Sequence, residues 1–189
     1  MLKELLTSNR TCRTFDESRK ITAEELTDMV DCARLAPSSM NLQPLTYRLV
    51  YKPEELVKVQ PLTKWAAALP ELQLPPEGHC PTGFIVICQN TELFGSTDKW
   101  NKDVGICALA IHLRAAEMGL AGCMIGSFSK DGIKSALALP ENTEPLLVIG
   151  LGKPDEERRI VPVKDGATKY YRENGVHLVP KRGLEDIIL

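Results

Sequence analysis

Residues 9–15 read Asn9-Arg10-Thr11-Cys12-Arg13-Thr14-Phe15, two guanidinium groups and two hydroxyls set beside an aromatic ring. In an extended backbone, alternation sends Arg10, Cys12 and Thr14 to one side and Thr11, Arg13 and Phe15 to the other. Such a run can grip an anion and brace a ring. The planar arginine fork offers paired, charge-assisted donors to phosphate, and a threonine hydroxyl can donate to a further oxygen. The same residue types also describe a solvated basic turn. Two other stretches carry usable polar groups. In Ala36-Pro37-Ser38-Ser39-Met40-Asn41-Leu42-Gln43-Pro44, the side chains of Ser38, Ser39, Asn41 and Gln43 suit the polar edge of a heterocycle, or serve simply as turn formers. Val179-Pro180-Lys181-Arg182 brings two more cations, which on their own read as a solvated pair. None of these stretches holds an evident nucleophile, a carboxylate pair or a Cys-His couple, so they suit the holding of a cofactor that performs the chemistry.

Periodicity predicts the elements that must position these groups. Leu2, Leu5 and Leu6 fall at helical spacing, so a short helix delivers the basic run. Thr22-Ala23-Glu24-Glu25 has the capping-box pattern, followed by the apolar stripe Leu26, Met29, Val30 and Ala33, and Pro37 ends that helix near Ala36. A strand over 46–51 and a short helix over 53–59 follow. Between 61 and 83 the prolines Pro61, Pro70, Pro75, Pro76 and Pro81 exclude a long regular element, leaving a turn or two of helix over 63–69 and the expectation of a substrate-facing loop. Phe84-Ile85-Val86-Ile87-Cys88 suits a strand buried on both faces. Residues 103–118 form a helix apolar almost all round, stopped by Gly119, which is either a core helix or one pressed against a partner. Buried strands over 121–126 and 145–152 flank a helix capped by Ser129 that stops before Pro140. From Asp155 the chain turns polar, with turns at Lys164-Asp165-Gly166 and Glu173-Asn174-Gly175, alternation over 176–179, and an apolar end over 184–189 suited to docking on a surface.

The 189 residues suit one domain, 1–189, and a net charge of −2 gives no reason to expect nucleic acid or an anionic membrane as partner. No export signal or apolar span of ~20 residues appears, so a cytoplasmic protein is expected. Six cysteines without a Cys-x-x-Cys pair are expected to stay reduced, and His79, His112 and His177 lack a zinc spacing. Gly150-Leu151-Gly152-Lys153 invites a nucleotide-loop reading, but Pro154 and acidic residues follow where a Ser or Thr opening a helix is required.

Taken together, the basic run, the loop 36–44 and the C-terminal cation pair resemble, in that order, the motifs of the nitroreductase family of FMN-dependent oxidoreductases. The family pattern is an Arg-Ser-x-Arg-x-Phe run, then Pro-Ser-Ser-x-Asn-x-Gln-Pro one helix later, then a basic pair near the C-terminus. The resemblance implies an α+β fold: a three-layer α/β/α sandwich around a mixed, mainly antiparallel sheet, in an intertwined homodimer whose 155–189 extension wraps the partner. It implies FMN as cofactor, with Arg10, Thr11, Lys181 and Arg182 on its phosphate, Cys12 beside them, and Arg13 favouring negative charge near N1 and O2 of the ring. Pro37, Ser38, Ser39, Asn41 and Gln43 would then lie against the flavin, in many members the one held by the other subunit. The backbone at Gly126 and Ser127 would address N5, and Lys64 either reaches the pyrimidine edge or is a surface lysine. Hydride from NADH or NADPH would pass through FMN to a nitroaromatic or quinone by a ping-pong cycle. An FMN-binding sensor and a reductive dehalogenase or flavin-cleaving enzyme on the same scaffold are the alternatives. Leu45 stands where many members have tryptophan, and the chain is shorter than many.

Overall fold

The computed structural model describes residues 2–66, 69 and 72–189. In chain order the elements are α1 (Leu2–Ser8), β1 (Phe15–Asp16), α2 (Ala23–Arg34), β2 (Leu45–Val50), α3 (Pro53–Val59), β3 (Gly83–Asn90) and α4 (Thr91–Phe94). There follow α5 (Asn101–Glu117), β4 (Ala121–Ile125), α6 (Lys130–Ala136), β5 (Thr143–Pro154), β6 (Glu157–Pro162), β7 (Tyr171–Glu173) and β8 (Val176–Lys181). The capping box at the head of α2 is formed in both directions: the Glu25 N–H donates to Thr22 Oγ1 at 3.2 Å, and the Thr22 N–H to Glu25 Oε2 at 2.9 Å.

The main sheet is built on β5, the longest strand at twelve residues. One of its edges pairs with β3, which pairs in turn with β2, and the other edge carries β4 and then β1, every pairing antiparallel. Side chains of β3 alternate between two apolar layers, which is why its sequence shows no polar face. Ile85 and Ile87 meet α2 and α5 through Leu26, Met29, Cys107, Ala108 and Ile111. Phe84, Val86 and Cys88 meet Val59, Ile133 and Leu137 on the opposite side. Each fully buried Leu, Ile or Phe contributes about 1.5–3 kcal/mol, so these two layers hold the sheet from both faces. The result is the α/β/α arrangement expected from the sequence.

Gly150 and Gly152 have a structural use. A Cβ at Gly150 would stand 2.7 Å from Trp65 Cη2, and one at Gly152 would stand 2.7 Å from Phe15 Cδ1. The two aromatic rings lie over the strand at those points and meet edge to face at 6.3 Å. Glycine here admits rings rather than phosphates, and it fixes Phe15, the last residue of the basic run.

A second sheet, β6-β8-β7, is formed by the polar stretch after Asp155. It holds a parallel pairing, β6 with β8, so the mixed character of the architecture resides there and not in the main sheet. Asn174 and Gly175, at φ of 50° and 79°, close the two-residue hairpin between β7 and β8. Of the turn or two of helix expected over 63–69, Ala67 and Ala68 lie outside the described residues, as does Pro70. Thr63 is bridged antiparallel to Phe128, so that segment begins extended because the end of β4 offers it a partner. Among the described residues no helix is long and apolar enough to cross a membrane.

Candidate functional site

The basic run is held by irregular backbone bonds rather than by a ladder. Cys12 N–H donates to Gly122 O at 2.9 Å, Phe15 N–H to His79 O at 3.0 Å, and Asp155 N–H to Thr14 O at 2.9 Å. Strict alternation therefore does not apply before Phe15. Cys12, Thr14 and Phe15 are buried, while Arg10, Thr11 and Arg13 line one cavity of about 310 Å³. Lys181, at the end of β8, lines the same cavity, so cations from the two ends of the chain converge. Arg182 does not join them: it leaves the strand and donates to Asp186 O in its own terminal segment.

Several residues whose separation in sequence hid them complete the wall. His112 comes from α5, Met124 from β4, and Tyr170, His177 and Val179 from the C-terminal sheet and its approach. The Arg13 guanidinium lies 4.6 Å from the centre of the Tyr170 ring, and its Nη1 is 3.3 Å from His177 Nε2. The carboxylate of Glu156 accepts from the Arg13 backbone N–H at 2.5 Å and from the Arg172 guanidinium. Arg158 donates to Arg10 O at 2.6 Å. Burial, then the neighbouring Arg158, lowers the Arg10 pKa; burial, then Arg13, lowers that of His177. Burial alone takes His112 down to about 4. Cys12 is pushed up to about 12, chiefly by burial, so it packs as a thiol beside Phe15 and Ala121 and stands behind the cavity, not on it.

Buried nitrogens without a partner gather here: Nε of Arg10, Arg13, Arg158 and Arg172, Nε2 of His112 and Nδ1 of His177. A cavity ringed by cations and undischarged donors fits an anion.

The other residues singled out in the sequence fall into two places. Lys64 and Ser127 meet through their backbones, Lys64 N–H donating to Ser127 O at 2.9 Å, with the Lys64 side chain exposed. Gly122, Met124 and Gly126 lie on one face of β4 and its extension. A Cβ on Gly126 would meet nothing within 4 Å, and Met124 is 43% exposed, so this edge is an open shelf. Its open part runs from Met124 to Gly126, about 7 Å at the strand rise of ~3.3 Å per residue, while Leu151 and His112 close the Gly122 end beside the basic run.

The loop 37–44 is elsewhere and does not line the basic cavity of its own chain. Both of its serine hydroxyls donate to the buried Asp103 in the first turn of α5, Ser38 Oγ at 2.5 Å and Ser39 Oγ at 2.6 Å, and the Ser39 N–H adds a bond at 3.1 Å. Burial raises the Asp103 pKa, but the bonds from Ser38 and Ser39 outweigh it and hold the carboxyl below its usual value. With those donors committed, the loop still exposes Pro37, Met40, Asn41, Leu42 and Gln43, with Asn41 and Gln43 at φ of 55° and 50°. Asp103→Asn keeps one acceptor and loses the charge, so the denaturation midpoint is expected to fall by the equivalent of about 1–2 kcal/mol. An unchanged urea midpoint would show that Asp103 does not hold the loop.

The proline-rich segment 61–83 contributes Thr63, Trp65, Leu74 and Cys80 to a larger cavity of about 700 Å³ against α3. It shares no lining residue with the basic cavity.

The model of the nitroreductase family matches residues 6–77 and 95–153. The chain belongs to that family. Membership places it among oxidoreductase enzymes. It is 25% identical over 167 residues to a putative NADH dehydrogenase/NAD(P)H nitroreductase of Archaeoglobus fulgidus, covering 86% of this chain and 90% of that protein. It is 29% identical over 183 residues to an oxygen-insensitive NADPH nitroreductase of Helicobacter pylori, covering 80% and 86%. Among solved structures, an FMN-dependent nitroreductase of Clostridium difficile superposes with a TM-score of 0.66 at 24% identity over 85% of this chain and 91% of that one. A nitroreductase family protein of Clostridium novyi gives 0.68 at 20% identity over 95% and 94%.

Proposed function

We propose that the protein is an FMN-dependent oxidoreductase that draws hydride from NADH or NADPH and reduces a small acceptor such as a nitroaromatic or quinone. The observation that carries this is the meeting of Arg10, Thr11, Arg13 and Lys181 on one cavity in a chain of this family. The donor set fits a flavin mononucleotide. Arg10, Thr11 and Lys181 would hold its phosphate, and the shelf past Met124 to Gly126 would take an elongated ring system without steric cost. Arg13 lines the same cavity as Met124, and its charge would favour an anionic ring edge or a phosphate oxygen.

Bound there, FMN supplies the hydride chemistry and makes a ping-pong cycle possible, because donor and acceptor can use one exposed face in turn. The residues of the chain bind, orient and set charge. Lys64 and Ser127, joined through their backbones, fix the far end of the shelf. The exposed Asn41 and Gln43 would contact the flavin of a partner in a homodimer, and Ile106 and Leu109, each 42% exposed on α5, offer an apolar face for that association.

Purified protein mixed with FMN and desalted should retain flavin absorbance at one equivalent per chain, sediment as a dimer, and bleach anaerobically on addition of NADPH or NADH. No retained flavin after reconstitution would end the reading. Retention with negligible bleaching in stopped flow would make it a binding module instead.

A further inference from the structure

His177 is 2% exposed and stands against Arg13, and nothing in the reading above uses it. The guanidinium has only N–H donors and stays protonated, so its 3.3 Å contact with His177 Nε2 requires that nitrogen to be the acceptor. The proton of the neutral ring therefore sits on Nδ1, which is buried without a partner. The imidazole is thus the weakest acceptor in a cluster of cations. The groups that face it are Arg13 from the basic run, Glu156 and Arg158 from the start of the C-terminal sheet, Arg172 from β7, and the Tyr170 ring at 5.2 Å; Arg10, Lys181 from its own strand and His112 from α5 share the cavity.

We propose that Arg13 and His177 form a proton-linked pair, in which an anionic ligand entering the cavity draws Arg13 away from His177 and the freed imidazole takes up a proton. An anion oxygen is a stronger acceptor for the guanidinium than an imidazole lone pair. Once Arg13 turns, the Nε2 lone pair is released from that guanidinium and exposed to the negative charge of the ligand. An N–H bond forms there, the proton coming from buffer, and the imidazolium becomes one more cation beside the anion. Glu156 cannot substitute, because its two oxygens are engaged by the Arg13 backbone and Arg172. This rests on the reading of the cavity as the seat of the FMN phosphate.

The test is calorimetric titration at pH 7.5 in two buffers of different ionisation enthalpy, which counts protons taken up per ligand bound. FMN should bind with uptake of more than about half a proton, since the phosphate is already almost wholly dianionic at that pH and releases little. Riboflavin, lacking the phosphate, should bind with almost none. In His177→Gln, which keeps an acceptor for Arg13 but cannot titrate, uptake with FMN should disappear; His177→Asn is the second variant should the first not fold. Equal uptake in wild type and variant, no uptake in the wild type, or loss of uptake in Glu156→Gln instead would overturn the pair. If FMN does not bind, the flavin reading fails on its own, and inorganic pyrophosphate decides the pair: uptake that depends on His177 upholds it, and its absence overturns it.

Discussion

Arg10→Ala is expected to bind FMN about 100-fold more weakly than the wild type, while riboflavin affinity changes by less than about threefold. Arg10 lines the basic cavity, its Nε is buried without a partner, and its Nη2 donates to Leu6 O at 2.6 Å, which anchors the fork to α1. A guanidinium held in that way has lost its rotamer freedom before the ligand arrives, so little ordering cost opposes binding. Charge-assisted bonds to phosphate contribute about 1.5–3 kcal/mol each, and one such bond at the upper end accounts for the factor of 100. Arg10→Lys restores charge without the planar fork and should recover about tenfold. The riboflavin arm isolates the phosphate. Quenching of flavin fluorescence reads both affinities, and an Arg10→Ala protein that binds FMN as tightly as wild type would remove the phosphate from this cavity. Its folding stability should stay close to wild type, because the side chain is only half-buried and the backbone bond from Arg158 to Arg10 O persists.

The parts of this fold that were legible in the sequence are those whose determinants are local. The capping box at Thr22 and the stop before Pro37 depend on residues within one turn of the boundary. The two-faced burial of β3 shows as an unbroken apolar run. Asp103 illustrates the opposite case. Its place at the start of a helix was visible, but the serines that bind it are 64 and 65 residues away, and hydroxyl–carboxylate pairing has no periodicity. The loop it clamps was expected to spend those hydroxyls on a cofactor, and the structure spends their protons on an internal carboxylate.

The same contrast runs through the basic cavity. The run at 10–13 and Lys181 were recognisable as anion ligands by residue type, but Glu156, Tyr170, Arg172 and His177 come from a polar stretch with weak strand signals. Its fold depends on the parallel register of β6 against β8, which no local pattern encodes. Arg182 was grouped with Lys181 because they are adjacent, yet the strand ends between them, and Arg182 donates to Asp186 O instead of lining the basic cavity. His112 and His177 were too far apart in the chain for a metal spacing, and this says nothing about proximity in space: both reach one cavity, and neither titrates as an ordinary histidine.

That last point sets the pH dependence of the ligand-free protein. His112 is 4% exposed, packs against Gly122 of β4, and has a pKa of about 4 in the fold against 6.5 in an open chain, the cause being burial. Between those values the unfolded chain binds a proton that the folded chain refuses, so stability rises with pH across the window and falls as the solution is acidified. At about 1.4 kcal/mol per pH unit the full difference is about 3 kcal/mol, of which about 2 kcal/mol is already lost at pH 5. Below pH 4 both states carry the proton and this contribution levels off. His177 acts in the same direction, because burial and Arg13 lower its pKa too. His112→Leu should therefore flatten most of the slope between pH 6.5 and 4 and leave the part due to His177. Urea unfolding of the ligand-free protein at pH 7.5, 6.5, 5.5 and 4.5 measures it. A wild-type protein whose unfolding free energy is level across that range would mean that water or a mobile neighbour solvates His112, and that the wall between α5 and β4 is open where the structure has it closed. Saturating the cavity with an anion should oppose the loss, since a ligand that favours protonated His177 offsets through that residue what His112 costs.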